Sequence, residues 1–163
     1  MKRRIALLIV AALLLVCFAG CQDTPATPTG PVEEYTFTYK NTEVKLNALA
    51  APIVTALGEP FTYSETTSCA FNGLDKTYGY GSFYIQTYPK DGQDYIYRWW
   101  FVDDLVANAE GIRITSTKAE VEKAYGTEGF DGKNSYTMKQ GNGKLIIILE
   151  NDAVSSIQYE AIV

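Results

Sequence analysis

The side chains in this chain that could carry covalent or proton-transfer chemistry are few: three cysteines, 19 acids and no histidine. Without imidazole, Ser-His-Asp triads, Cys-His dyads and histidine-built zinc sites are excluded. No glycine-rich phosphate loop of the P-loop or dinucleotide type is present, and no cofactor is expected. Cys69 has no histidine to activate it, so its expected place is as a small buried hydrophobe in a strand. Asp103-Asp104, Glu65, Asp75 and Glu110 are the acids near expected strand ends and loops. Paired carboxylates can hydrolyse glycosides or hold a hard cation. Adjacent aspartates at a strand end more often make a turn, and no loop has the ligand spacing of a calcium site. A carboxylate hydrolase is therefore the least favoured reading, and no catalytic or metal-binding residue is assigned.

Molecular contact is the better supplied chemistry. Tyr78–Tyr88 and Tyr95–Val102 are rich in aromatic and β-branched residues and flank Asp91-Gly92, a tight-hairpin signal. A two-residue turn there sets Tyr88 opposite Tyr95, Gln86 opposite Tyr97 and Tyr84 opposite Trp99, with Tyr80 and Phe101 extending that side. The other side pairs Thr87 with Ile96, Ile85 with Arg98 and Phe83 with Trp100. Because strand side chains alternate, the two sets cannot mix. Tyr80, Tyr84, Tyr88, Tyr95, Tyr97 and Trp99 therefore form the candidate binding face. The aliphatic side suits a core, although Arg98 and Trp100 fit it poorly. Tyr and Trp give rigid contact area and dominate interface hot spots. The competing use of the same residues is as a core whose polar tips reach water.

These residues sit behind a targeting segment. Met1-Lys2-Arg3-Arg4 is followed by 15 uncharged, largely apolar residues, Ile5 to Ala19. That is short of the roughly 20 needed to cross a bilayer, and the pattern is that of a secretory signal. Phe18-Ala19-Gly20-Cys21 resembles the lipobox of bacterial lipoproteins. The resemblance implies cleavage before Cys21, lipidation of that cysteine and an extracytoplasmic, membrane-anchored chain. Phe18 departs from the usual leucine. An uncleaved anchor or an ordinary secretory signal would also place the remainder outside the cytoplasm. Loss of residues 1–20 lowers the basic count from 14 to 11 against 19 acids, moving the net charge from −5 to about −8. An acidic domain is repelled by phosphate backbones, so nucleic acid is not an expected partner. Lipid alone is expected to hold the chain at the membrane. With Cys17 and Cys21 removed or modified, Cys69 has no disulfide partner.

Residues 21–34 carry Pro25, Pro28 and Pro31 and read as a Pro/Thr tether reaching roughly 40 Å at about 3.1 Å per residue. Residues 35–163 then form one domain. Within it two weak repeats, about 44–107 and 111–162, each have a short helix and a run of strands. The first helix starts near Pro52 and stops at Gly58. The second opens with the capping box Thr117-Lys118-Ala119-Glu120 and stops at Gly126. Ser68–Phe71, Tyr78–Tyr88 and Tyr95–Val102 are the first expected strands. Ser135–Lys139, Lys144–Glu150 and Ala153–Ala161 are the second set, joined at Asn142-Gly143 and Asn151-Asp152. Tyr35–Tyr39 is one more. Leu145, Ile147 and Leu149 face Met138, Tyr136 and Val154, with Ile146, Ile148 and Ile157 opposite. A strand apolar on both sides points to a second layer or a partner. The expected class is α+β: a duplicated helix plus three-strand antiparallel meander, with helices on one face.

Leu57-Gly58-Glu59-Pro60, Ser68-Cys69-Ala70-Phe71, Gly73 with Tyr78-Gly79-Tyr80, Thr87-Tyr88-Pro89, and Gly111-Ile112 leading to Tyr125-Gly126 together resemble an uncharacterised family of small lipoproteins of Gram-positive anaerobic bacteria. The family pattern tends to have glycine where Thr115 stands. More loosely, the element order is similar to the β-lactamase-inhibitor-protein-like fold, whose members bind proteins on an aromatic sheet face. That resemblance implies no catalytic residue. The expectation is a tethered, non-enzymatic module binding an extracytoplasmic protein. The alternative is a carbohydrate or cell-wall binder.

Overall fold

Alternating apolar residues and two-residue turns dictate most of this domain. The computed structural model describes residues Glu34–Val163; the expected signal segment, Cys21 and nearly all of the expected tether lie outside them. In chain order the elements are β1 (Thr36–Tyr39), β2 (Thr42–Lys45), α1 (Ala50–Leu57), β3 (Thr62–Thr67), β4 (Leu74–Gly79), β5 (Phe83–Lys90), β6 (Gln93–Phe101), α2 (Lys118–Tyr125), β7 (Ser135–Gln140), β8 (Gly143–Glu150) and β9 (Ala153–Ala161). β1 and β2 form a hairpin of their own. The other seven strands form one antiparallel sheet in the order β3-β4-β5-β6-β9-β8-β7.

The expected α+β class is corrected: the described chain is mostly β, with only two helices of eight residues each. The first run is not a three-strand meander. Its expected strand Tyr78–Tyr88 breaks at Gly81, whose φ of 87° suits glycine, and Tyr80 N–H closes the turn on the Phe83 carbonyl. β3 lies outside every expected strand. Ser68–Phe71 is not a strand but the turn between β3 and β4, where the Ser68 hydroxyl accepts from the Ala70 and Phe71 N–H groups. Cys69 is consequently exposed rather than buried.

Local signals elsewhere act as expected. Pro52 falls in the first turn of α1, where an N–H would lack a partner anyway. Thr117 and Glu120 close their capping box, with Glu120 Oε2 accepting from Thr117 N–H at 2.6 Å. Asp91-Gly92 and Asn151-Asp152 all have positive φ and join their strands as two-residue turns. The β7–β8 turn is Gly141-Asn142, one residue earlier than expected, and Met138–Leu145, Tyr136–Ile147 and Leu149–Val154 pair across the ladders.

β6 and β9 are each bordered by a segment that precedes a helix. Asn47 N–H donates to the Ile96 carbonyl, and Ile96 N–H to Ala48. Thr115 N–H donates to Val154, and Val154 N–H to Ser116. Both segments turn on a left-handed residue, Asn47 at φ 60° and Thr115 at φ 77°. Asparagine tolerates this conformation; β-branched threonine does so at a cost.

One continuous core joins Phe37, Val44 and Leu46 of the first hairpin, Ala50 of α1 and Val121 of α2 to Phe83, Ile85, Trp99, Phe101, Leu145, Ile147, Ile157 and Tyr159 of the large sheet. The side of the sheet bearing those residues is called inner here, the opposite side outer. Replacing exposed Thr115 by glycine removes backbone strain while keeping both ladder bonds, and should raise unfolding stability by roughly 0.5–1 kcal/mol in denaturant titration. A loss of stability would show that the threonine side chain contributes a contact of its own.

Candidate functional site

The register of β5 on β6 decides which aromatic residues reach the surface. From the turn, Tyr88 pairs with Tyr95 and Thr87 with Ile96, as a two-residue loop demands. The next pair is Gln86 with Arg98, so Tyr97 opposes no residue. This β-bulge shifts every later pair: Ile85 meets Trp99, Tyr84 meets Trp100 and Phe83 meets Phe101. Tyr97 and Arg98 both project to the outer side, and Trp99 and Trp100 exchange faces relative to the unbulged expectation.

The six residues expected to share a binding face are therefore divided. Trp99 is 0% exposed and Tyr80 5%; both belong to the core. Trp99 stacks on Tyr159 at 4.9 Å, and Tyr80 on Phe83 at 5.3 Å. Neither the Trp99 indole N–H nor the Tyr80 hydroxyl has a hydrogen-bond partner among the described residues. Tyr88 is also only 5% exposed but stands outside the core cluster. Phe71 covers it at 4.8 Å and Asn47 Oδ1 accepts its hydroxyl proton. Tyr84, Tyr95 and Tyr97 remain half-exposed on the outer side.

Gln86 lies on this side as the sequence pattern expects, and it is joined there by Trp100 and Arg98, which the unbulged register had assigned to the other side. Tyr84 stacks on Trp100 with centroids 5.2 Å apart and planes 7° from parallel. The Arg98 guanidinium lies over the Trp100 ring at 5.1 Å, and its Nε donates to Gln86 Oε1 at 2.6 Å. Tyr97 donates to Glu160 Oε1 at 3.0 Å, and Lys144 and Gln158 also reach that carboxylate. Ile146 and Ile148 of β8 continue the outer side, half-exposed. Gly79 makes room for the stack and for the neighbouring Thr62 hydroxyl: a methyl group on it would run into Thr62 Oγ1 and stand 2.6 Å from Tyr84 Cε1. The only sequence hint of this arrangement was the poor fit of Arg98 and Trp100 to a core.

The acids do not converge. Glu65 accepts from Tyr63, Asp103 caps a turn at Leu105 and Glu110 accepts from Tyr125. Asp75 and Glu65 are adjacent in the β3–β4 ladder but alternate to opposite sides. Among the described residues no three His, Cys, Asp or Glu are grouped to hold a metal ion, and no helix is long and apolar enough to cross a membrane.

Nine tyrosines have their hydroxyl pKa raised. Burial does most of this; it pushes Tyr35 and Tyr80 up to about 12. Tyr97 is raised by burial and then by its bond to Glu160. Tyr63 is the exception in cause: its bond to the Glu65 carboxylate leads, taking it to about 12.

Family models, curated proteins and solved structures offer no match to this chain. The site rests on its own residues.

Two outcomes follow. The folded state holds these phenol protons more tightly than the unfolded chain, whose tyrosines titrate near 10. Their contribution is full below pH 10 and lost as pH rises from 10 through 12, so the denaturation midpoint should fall across that window; a midpoint unchanged to pH 12 would contradict it. Gly79→Ala should force Tyr84 off Trp100, costing about 1–3 kcal/mol and changing the near-ultraviolet circular dichroism. An unaltered spectrum would mean the ring does not lie over Gly79.

Proposed function

We propose that this chain is a lipid-anchored, non-enzymatic interaction module outside the cell membrane, binding an extracytoplasmic protein through the outer sheet face centred on Tyr84, Trp100 and Arg98. The observation that carries this reading is the Tyr84–Trp100 stack with Arg98 over it, half-exposed on a sheet side against which none of the described helices packs. Trp, Tyr and Arg dominate binding hot spots. Stacking and the Arg98–Gln86 bond hold these three in place before a partner arrives, so little side-chain entropy remains to be lost. Ile146 and Ile148 extend the apolar area, and Gln158, Glu160 and Lys144 supply a polar rim.

A sugar-binding platform needs an open ring face. Tyr84 and Arg98 already occupy the π surface of Trp100, which favours a protein over a glycan as the ligand. The anchor is supported by the basic start, the 15-residue apolar run and Ala19-Gly20-Cys21. The acidic mature composition disfavours nucleic acid and direct adhesion to anionic lipid.

The double variant Tyr84→Ala, Trp100→Ala should still unfold cooperatively while losing about 30-fold or more in affinity for whatever protein the unaltered chain captures from solubilised membranes. Undiminished capture removes the face from the account. Binding of cell-wall glycan with equal loss in the variant would replace the protein ligand with a sugar. Labelling with a radioactive fatty acid should be lost in Cys21→Ser, which should also release the chain to the medium; an unlabelled parent chain would remove the anchor.

A further inference from the structure

The two ends of the seven-stranded sheet are finished differently. At β7 the edge is covered: Thr137 N–H donates to Gly129, Asp131 N–H donates to Ser135, and Ser135 N–H donates to the Asp131 carboxylate. Lys139 follows, a charge of the kind that discourages strand addition. At β3 nothing comparable is present among the described residues. All six residues, Thr62–Thr67, are exposed, and the strand pairs only with β4. Ser68 N–H donates to Gly73, so Ser68, Thr66 and Ser64 turn their backbone groups toward β4. The groups of Tyr63, Glu65 and Thr67 point out from the free edge. Phe61, 84% exposed, precedes the strand, and Tyr63 is 51% exposed. An exposed six-residue edge whose one charge is Glu65 is a template for another strand.

We propose that β3 pairs antiparallel with β3 of a second copy of this chain, about a two-fold axis at Ser64. The sequence selects both occupant and register. Only pairings that set odd-numbered residues opposite odd-numbered ones use the outward backbone groups. The Phe61 N–H is already donated to the Gly79 carbonyl, so the outward groups are those of Tyr63, Glu65 and Thr67, and the register is selected by what Glu65 meets. Tyr63 then faces Glu65 of the second copy, twice. These two side chains already bond within one chain, Tyr63 hydroxyl to Glu65 Oε2 at 2.8 Å. They can exchange that bond across the axis without stranding a charge. On the outer side Thr62 faces Thr66 and Ser64 faces Ser64, pairs that suit a ladder. Sliding two residues one way sets Glu65 against Glu65, which repel. Sliding the other way shortens the ladder and sets Glu65 against Phe61. A strand-edge contact alone falls short of the roughly 1,200 Å² of a stable soluble interface. Copies leashed to one membrane by the anchor proposed above meet at raised effective concentration.

The register makes the test specific. At a non-hydrogen-bonded antiparallel pair the two Cα atoms lie about 4.5 Å apart, within disulfide reach. In full-length chain carrying Cys69→Ser, Ser64→Cys should form a disulfide-linked dimer under mild oxidation. Thr66→Cys should not, because its own copy across the axis is four residues away, while Thr62→Cys with Thr66→Cys should. Membrane and soluble fractions are separated first, which tests the anchor by itself; oxidation is then run on whichever fraction holds the protein. Adding Glu65→Pro deletes an outward N–H together with the carboxylate that accepts from Tyr63, leaves the β3–β4 ladder bonds in place, and should lower the Ser64→Cys cross-link severalfold with the thermal midpoint retained. No dimer from Ser64→Cys, equal dimer from Thr66→Cys, or a cross-link to a different polypeptide would each overturn the pairing.

Discussion

Because strand side chains alternate, one unopposed residue reverses every assignment beyond it. Tyr97 is that residue in β6. Before it the hairpin obeys the Asp91-Gly92 turn; after it Trp99 enters the core and Trp100 goes to the outer face. The core depends on the shift, since Trp99 is a fully buried member of it and stacks on Tyr159 of β9. The outer face depends on it equally, since an unshifted register would bury the Arg98 charge without a carboxylate. The bulge puts Arg98 beside Gln86 and over Trp100 instead.

β9 is built in the same way. Ile148 pairs with Ser156 and Leu149 with Val154, leaving Ser155 unopposed a few residues after the Asn151-Asp152 turn. In each half, the segment just before the helix hydrogen-bonds to the last strand of the following meander, near its bulge. Short helices with little intrinsic stability are thereby fixed at their starts by the sheet rather than by length. The halves differ where the first has an additional strand, β3, and it is this strand that ends the sheet bare.

What could be read from the residues follows how local the cause is. The capping box at Thr117, the glycine stops at Gly58 and Gly126, and the turn at Asp91-Gly92 are set by neighbours a few residues apart, and all are present. The β7–β8 pairings and the Leu149–Val154 pair are legible because Leu145, Ile147 and Leu149 alternate strictly. The bulge at Ser155, however, sets Ile157 against Ile147 in the core rather than on the expected side, that of Ile146 and Ile148. β3 was not legible, because Thr-Tyr-Ser-Glu-Thr-Thr buries nothing and so carries no apolar period. The break at Gly81 is visible as Gly79-Tyr80-Gly81 but was masked by the tyrosines around it. The bulge has no local signature: Tyr95 to Phe101 reads as a plain strand, and only the long-range fit of Trp99 to the core decides where the extra residue goes. Hence Tyr84, Tyr95 and Tyr97 were placed on the outer side from sequence, while Tyr80 and Trp99 belong to the core and Trp100 and Arg98 were missed.

The binding role proposed for this domain stands on the two adjacent tryptophans having opposite surroundings. Single-tryptophan chains read this directly. Trp99→Phe loses no hydrogen bond, since the Trp99 indole N–H has no partner among the described residues, and it leaves Trp100 as the sole reporter. Trp100→Phe leaves Trp99. The account predicts blue-shifted emission with weak acrylamide quenching when Trp99 remains, and red-shifted, readily quenched emission when Trp100 remains. The reverse pattern, or two equally quenched tryptophans, would mean that the bulge is not at Tyr97 and that the outer aromatic face described above does not exist.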